Sequence, residues 1–281
     1  MTASIKSYRD FYANYIVRRG GSTDDRLIAA FSIVPREEYV GPGPWSVFTG
    51  PGYLPTISDE PHLLYQDILI GLSTERGINN GEPSLHARCL AAVAPAVGES
   101  AVNIGAGTGY YTAILAQLVA PGGRVVAYEI EADLAARAKE NLKLVSCAEV
   151  VAGSAVGTTI PSSDIIYVNA GATHPVDSWL DALNIGGRLI FPLTPDQGLG
   201  CMLLITRRTA SGYDAKVVAR VGFIPCIGAR DEAASKSLTA ALELQTLASV
   251  RSLRRDGKPD ESAWCVGNGW WLSTKSVTSG L

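Results

Sequence analysis

A chain of 281 residues, 47% hydrophobic and 18% charged, can bury a substantial core and is too apolar to remain disordered, so one large domain or a domain with an appended piece is expected. A formal net charge of -3, with no basic run beyond pairs such as Arg18-Arg19, Arg207-Arg208 and Arg254-Arg255, excludes the electrostatic footprint of a nucleic-acid binder. Cys89, Cys147, Cys201, Cys226 and Cys265 are scattered, odd in number and free of CxxC pairs, which argues for reduced thiols rather than a disulfide framework or zinc site.

The N-terminal stretch mixes charged and apolar residues instead of presenting a signal peptide's apolar run, and no later segment reads as a membrane span. A cytoplasmic protein without membrane partners is the expectation. Residues 5 to 20 place Ile5, Tyr8, Tyr12, Tyr15 and Ile16 at helical spacing before Gly20-Gly21. "STDDRLIAAFSIV" predicts a second helix, with Ser22 or Thr23 as its N-cap and a stop before Pro35. Residues 41 to 61 carry so many glycines and prolines that neither a helix nor a central strand can run through them, leaving a long irregular loop.

The stretch "RGINNGEPSLHARC" combines a turn dipeptide, Asn80-Gly81, with Pro83 and Ser84 suited to a first helical turn. Asn268-Gly269 and Asp256-Gly257 are turn dipeptides of the same kind. From residue 84 the pattern alternates. "SLHARCLAAVA", "YYTAILAQLV", "ADLAARAKENLKLV" and "VDSWLDALNIGG" read as helices, and "SAVNIG", "RVVAYEI", "AEVVAG", "DIIYVNA" and "RLIFPL" as buried strands. Apolar strands separated by helices predict a parallel sheet covered on both faces, an α/β doubly wound core. "GCMLLITRR" and "AKVVARVGFIPC" then suggest an antiparallel pair, "EAASKSLTAALELQTLASVRSL" a helix, and "AWCVGNGWWLST" a late strand or a hairpin.

Gly105, Gly107 and Gly109 stand between a buried strand and a helix, where glycine lets the backbone turn tightly and approach a ligand. Glu129 ends the next strand, and a carboxylate there can accept hydrogen bonds from both ribose hydroxyls. A dinucleotide site would show GxGxxG and seat a pyrophosphate on the helix start, but Tyr110 occupies the position after Gly109. S-adenosyl-L-methionine, which has a ribose and no phosphate, fits this spacing better. The alternative is an ordinary strand-to-helix turn with a surface glutamate.

With these residues in view, the chain resembles the protein-L-isoaspartate O-methyltransferases, within the class I S-adenosylmethionine-dependent methyltransferases. The likeness runs from "LIAAFSIVPREEYV" through "NNGEPSLHA", "VNIGAGTGYYTAILAQLV", "VVAYEIEADLAARAKENL" and "VNAGATHPVDSWLDALNIGGRLIFPLT" to "ARVGFIPCIG". It implies a Rossmann-like, doubly wound, seven-stranded and mostly parallel sheet with N-terminal helices and, in this chain, an extra C-terminal helix and strand segment. Residues 1–83 would hold those helices and the acceptor-side loops, 84–228 the cofactor-binding core, and 229–281 an extension packed on the core in one compact unit.

The resemblance also assigns candidate residues. "INNGEPSLHA" corresponds to the segment lining the acceptor pocket, QTIS-x-P in the family, so Gly81 stands where the family has a hydroxyl residue, beside Asn79 and Asn80. Asn80, Gly81 and His86 are the candidate catalytic residues, with a helix residue packed under the loop as the alternative for His86. The candidate cofactor contacts are Asn103, Gly105, Ala106, Gly107, Gly109, Glu129, Ile130, Ser154 and Asn169. Asn103 and Ser154 replace acidic residues of the family, which predicts weaker cofactor binding because hydrogen bonds to charged groups are stronger. His62 and His174 lack paired ligands, so no metal is expected.

The implied activity is methyl transfer to a carboxylate oxygen of a peptide or protein. A small-metabolite or modified-peptide acceptor is the second reading, and a non-catalytic binding protein on this fold the third. Oligomeric state is not legible.

Overall fold

The structure is a computed structural model describing residues 4–255 and 258–277. The Asp256-Gly257 dipeptide lies outside the described residues. In chain order the first elements are α1 (Ile5–Arg19), α2 (Asp25–Ile33), α3 (Glu37–Val40), β1 (Ser46–Phe48), β2 (Tyr53–Pro55), β3 (Gly71–Ser73), β4 (Ile78–Asn79) and α4 (Pro83–Val93). There follow β5 (Ser100–Ile104), α5 (Tyr110–Val119), β6 (Arg124–Glu129), α6 (Ala132–Asn141), β7 (Ala148–Ala152), β8 (Ser163–Val168) and α7 (Asp177–Ala182). The last are β9 (Leu183–Leu193), β10 (Gly200–Arg207), β11 (Tyr213–Val221), α8 (Glu232–Leu244), β12 (Ser252–Arg254), β13 (Ala263–Gly267) and β14 (Trp270–Ser273).

The chain divides into two compact units, Met1–Glu99 with Ala106–Gly153, and Ser100–Gly105 with Ser154–Leu281. In the first, α1 buries Tyr12, Ala13, Ile16 and Val17, the inner face of its helical repeat. It ends at Gly20, where a Cβ would come within 2.9 Å of the backbone of Ser84 and Arg88, so only glycine lets α1 and α4 approach this closely. The N-cap of α2 is Asp24, not Ser22 or Thr23: its carboxylate accepts from the N–H groups of Arg26 at 2.8 Å and Leu27 at 3.4 Å. Ser22 instead accepts from Asp24 N–H.

The Gly/Pro-rich stretch is not wholly irregular. It folds β1 and β2 into a short antiparallel hairpin around Gly50-Pro51-Gly52, and Trp45 joins Val40, Leu64 and Ile70 in a local core. The three-residue strands escape the prolines because Pro51 sits in the turn and Pro55 at a strand end. A second hairpin, β3 with β4, was also hidden in the sequence, since two-residue strands have no readable period. Parallel β6 and β7 complete this unit.

In the second unit the strands lie in the order β13-β14-β12-β11-β10-β9-β8-β5. The β5/β8 and β8/β9 pairs are parallel, whereas the remaining neighbours are antiparallel. The nearly continuous burial of β5 and β8 is that of strands covered on both faces. Parallel β6 and β7 in the first unit, and parallel β5, β8 and β9 followed by antiparallel β10 and β11 in the second, are the seven strands expected of a Rossmann-like α/β architecture, and β12 to β14 extend the second unit's sheet.

Two predicted helices are shorter than their periodicity suggests. The first stops at Ala182, and Leu183 already pairs as strand; Gly186, at φ +84°, accommodates the irregular register that follows. The second stops at Leu244, after which a 3-10 turn over Leu247–Ser249 leads into β12. The Trp-containing segment is a hairpin, with Asn268-Gly269 as its two-residue turn. Among the described residues no helix is long and apolar enough to cross a membrane.

Candidate active site

In the first unit the strand-to-helix turn is built around Glu129. Ala106 N–H donates to Tyr128 O at 3.1 Å and Gly109 N–H to Ala106 O at 2.9 Å, closing the turn from which α5 starts. Gly107 and Gly109 have φ of +57° and +95°, and a Cβ on Gly109 would meet Leu142 at 2.9 Å, so both conformation and space demand glycine there. Glu129 is 6% exposed; its Oε2 accepts from Gly107 N–H at 2.6 Å and its Oε1 from Glu131 N–H at 3.0 Å. Burial raises its pKa, while these backbone donors oppose the rise. Each carboxylate oxygen keeps a second lone pair, so two acceptor positions remain for a pair of vicinal hydroxyls. Ile130 follows directly and is half-exposed.

Asn103, Gly105 and Asn169 come together in the second unit. Gly105, at φ +73°, packs against the backbone and Cβ of Asn169. Asn169 N–H donates to Ile104 O at 2.8 Å, and its Nδ2 to Gly105 O at 3.2 Å. Its Oδ1 is buried without a hydrogen-bond partner, an acceptor that calls for a donor from outside the chain. Asn103 is fully buried and donates from Nδ2 to Tyr167 O at 3.0 Å, tying β5 to β8. Ser154 lies on its own turn, where its Oγ accepts from Val156 N–H at 3.0 Å. Trp179 Nε1 steadies that turn by donating to Ala155 O, a contact with no signature in the sequence.

The segment around Asn80, Gly81 and His86 belongs to the first unit. Asn80 Oδ1 accepts from Ile70 N–H at 2.9 Å and from Arg36 at 3.4 Å, while its Nδ2 is buried and unpartnered. Arg36, fully buried, also donates to the carbonyls of Leu64, Gln66 and Ile68. Sequence reasoning missed this role, although Arg36 sits in "VPREEYV". Asp67 was missed too; its Oδ1 accepts from Ser84 N–H at 2.8 Å and caps α4.

Gly81 adopts φ +74°, and a Cβ there would fall far inside van der Waals contact of His86 Nε2. The imidazole therefore fills the space a side chain at position 81 would need. His86 is 2% exposed and stacks on Tyr111 with 3.6 Å between ring centroids. Burial, helped by the nearby Arg36 charge, pulls its pKa down to about 3, so the ring is neutral at neutral pH. The Tyr111 hydroxyl is buried without a partner, and burial pushes its pKa up.

In the first unit, the Glu129 carboxylate beside the positive-φ Gly107 and Gly109 suits a ligand carrying a ribose, as S-adenosyl-L-methionine does; in the second, the orphaned Asn169 Oδ1 is an acceptor for a hydrogen-bond donor.

The family model for protein-L-isoaspartate(D-aspartate) O-methyltransferase matches residues 13–231. Among curated relatives, the Protein-L-isoaspartate O-methyltransferase of Aeropyrum pernix is 33% identical over 219 residues, covering 75% of this chain and 76% of that protein. The Protein-L-isoaspartate O-methyltransferase 2 of Marinobacter nauticus is 31% identical over 212 residues, covering 74% and 87%. A solved protein-L-isoaspartate O-methyltransferase superposes with a TM-score of 0.66 at 23% identity, covering 84% of this chain and 70% of the other. A Plasmodium falciparum structure named for the same activity, in complex with S-adenosyl-L-homocysteine, gives 0.63 at 20% identity, covering 78% and 98%. At these identities the two structures speak for the fold, while the family match and the relatives above 30% speak for kinship. The chain belongs to the protein-L-isoaspartate(D-aspartate) O-methyltransferase family of S-adenosyl-L-methionine-dependent methyltransferases.

Proposed function

We propose that this methyltransferase acts on a side-chain carboxylate of a peptide or protein, and that Asn80, Gly81 and His86 shape the place where that carboxylate reacts. The observation carrying this reading is the state of His86. A neutral imidazole, buried and with a pKa near 3, is too weak a base to take a proton from an amine or hydroxyl acceptor. A carboxylate needs no base, since it is already ionised at neutral pH, and the task left to the protein is alignment.

S-adenosyl-L-methionine, when bound, supplies an electrophilic sulfonium methyl. Glu129 would hold its ribose hydroxyls through the acceptor positions its backbone donors leave free. On the acceptor side, the buried Asn80 Nδ2 is a neutral donor for a carboxylate oxygen, held in place because Arg36 and Ile70 both engage Asn80 Oδ1. Gly81, having no side chain, leaves His86 as the wall of this segment.

The test titrates S-adenosyl-L-methionine calorimetrically, then presents an isoaspartyl peptide beside its aspartyl twin and reads the mass gain of one methyl. Cofactor binding with methylation of the isoaspartyl peptide alone is the expected result. Cofactor binding with neither peptide methylated would discard the peptide carboxylate and favour a small-molecule acceptor. Glu129→Gln is expected to weaken cofactor binding about tenfold or more, the scale of one charge-assisted hydrogen bond.

A further inference from the structure

The β3–β4 hairpin runs directly into Asn80-Gly81, and its tip is anchored by one side chain. Thr74–Arg76 make a 3-10 turn closed by Gly77 at φ +68°. The Arg76 guanidinium donates from Nε to Ser73 Oγ at 2.7 Å, from Nη1 to Glu131 Oε2 at 2.6 Å and Asp133 Oδ1 at 3.0 Å, and from Nη2 to Asp133 Oδ2 at 2.7 Å. The pairing with Asp133 is bidentate, which fixes orientation as well as distance.

These acids are not a remote surface feature. Glu131 is the residue whose backbone N–H holds Glu129 Oε1, and Asp133 lies in the first turn of α6 just beyond it. A second contact joins the same two segments: Leu72 of β3 lies 3.3 Å from the position of a Cβ on Gly107, the other backbone donor to Glu129. Arg137 of α6 adds a donor to Leu72 O at 3.4 Å.

We propose that Arg76 is a positioning residue that couples the acceptor-side hairpin to the carboxylate of Glu129. By gripping Glu131 and Asp133 it presses Leu72 against the glycine turn and holds the two N–H donors of Glu129 in register. The order of Asn80-Gly81 and the order of the cofactor carboxylate thereby depend on one ion-pair network. This inference rests on the assignment of Glu129 to the cofactor's ribose. The Arg76 side chain is 35% exposed and its partners are 30% and 57% exposed, so the coupling is within reach of salt.

The test compares wild type, Arg76→Ala, Arg76→Lys and Glu129→Gln. In the protein without cofactor, hydrogen–deuterium exchange of peptides covering residues 71–79 and 129–133 is expected to quicken several-fold in Arg76→Ala. The Kd and KM for S-adenosyl-L-methionine should rise about threefold to tenfold with kcat nearly kept, the range of a surface ion-pair network. Arg76→Lys should recover part of the affinity, and wild-type binding should weaken with added salt more than that of Arg76→Ala. Unchanged exchange in Arg76→Ala would overturn the coupling, as would faster exchange with unchanged Kd. If Glu129→Gln binds the cofactor as wild type does, the ribose assignment fails and takes this inference with it. A weakened Glu129→Gln beside an unaffected Arg76→Ala sinks the coupling alone.

Discussion

Gly81 and His86 constrain each other at the level of single side chains. Adding a Cβ at Gly81 meets two penalties, a left-handed backbone and the His86 ring, whereas Gly50, at φ +92° with nothing within 4 Å of its Cβ position, meets only the first. Gly81→Ala is therefore expected to cost about 2–4 kcal/mol, summing a left-handed penalty and overpacking, against about 1–2 for Gly50→Ala. Urea unfolding of both variants measures the difference; equal losses would mean that His86 moves aside freely. His86 also sets a pH dependence. Its folded pKa, about 3, lies below the unfolded value near 6.5, so between those values the unfolded chain binds the extra proton. Stability is thus lost as pH falls through this window, by at most about 1.4 kcal/mol per pH unit from this residue. His86→Gln should flatten the slope of unfolding free energy between pH 7 and 5, and an unaltered slope would refute the buried neutral ring.

Arg36 acts one level up, on segments. Four donated hydrogen bonds from one buried guanidinium gather the carbonyls of Leu64, Gln66 and Ile68 and the side chain of Asn80. Replacing it with Leu strands these acceptors at about 1–3 kcal/mol for each that water does not reach, so a loss of about 3 kcal/mol or more is expected. Chemical denaturation reads the stability. The KM for the peptide acceptor should rise in the same variant, because Asn80 loses one of the two groups that orient it. This segment was only half legible in sequence. The turn at Asn80-Gly81 and the helix from Pro83 follow from local chemistry, but nothing local tells that a residue forty-four positions earlier holds Asn80. The same holds for β12, whose three residues pair with β11 and β14 and have no strand pattern of their own.

For the molecule as a whole, the segment beyond the family match is part of the second unit's sheet. Tyr213 of β11 pairs with Leu253 of β12, and Leu238, Leu253 and Trp264 are all but fully buried. A chain ending after Asp231 would leave β11 as a bare edge and uncover the apolar surface beneath these side chains. Aggregation on size-exclusion chromatography and strong binding of a hydrophobic dye are the expected outcomes. A monomeric, active truncated chain would show that the extension is dispensable for folding.

What the sequence determined by itself are the features written within a few residues: the alternation of helices and buried strands, the glycine turn, the carboxylate at the end of the next strand and the kinship that these carry. Each depends on periodicity or on a backbone conformation that only certain residues adopt. Tertiary structure decided the rest. It tied Asn103 to Tyr167 across β5 and β8, left an orphaned acceptor on Asn169, buried His86 as a neutral ring against Tyr111, and brought Arg76 to the acids that follow Glu129. Burial, long-range hydrogen bonds and the pKa values they set depend on which distant residues meet in space, and no local pattern records that.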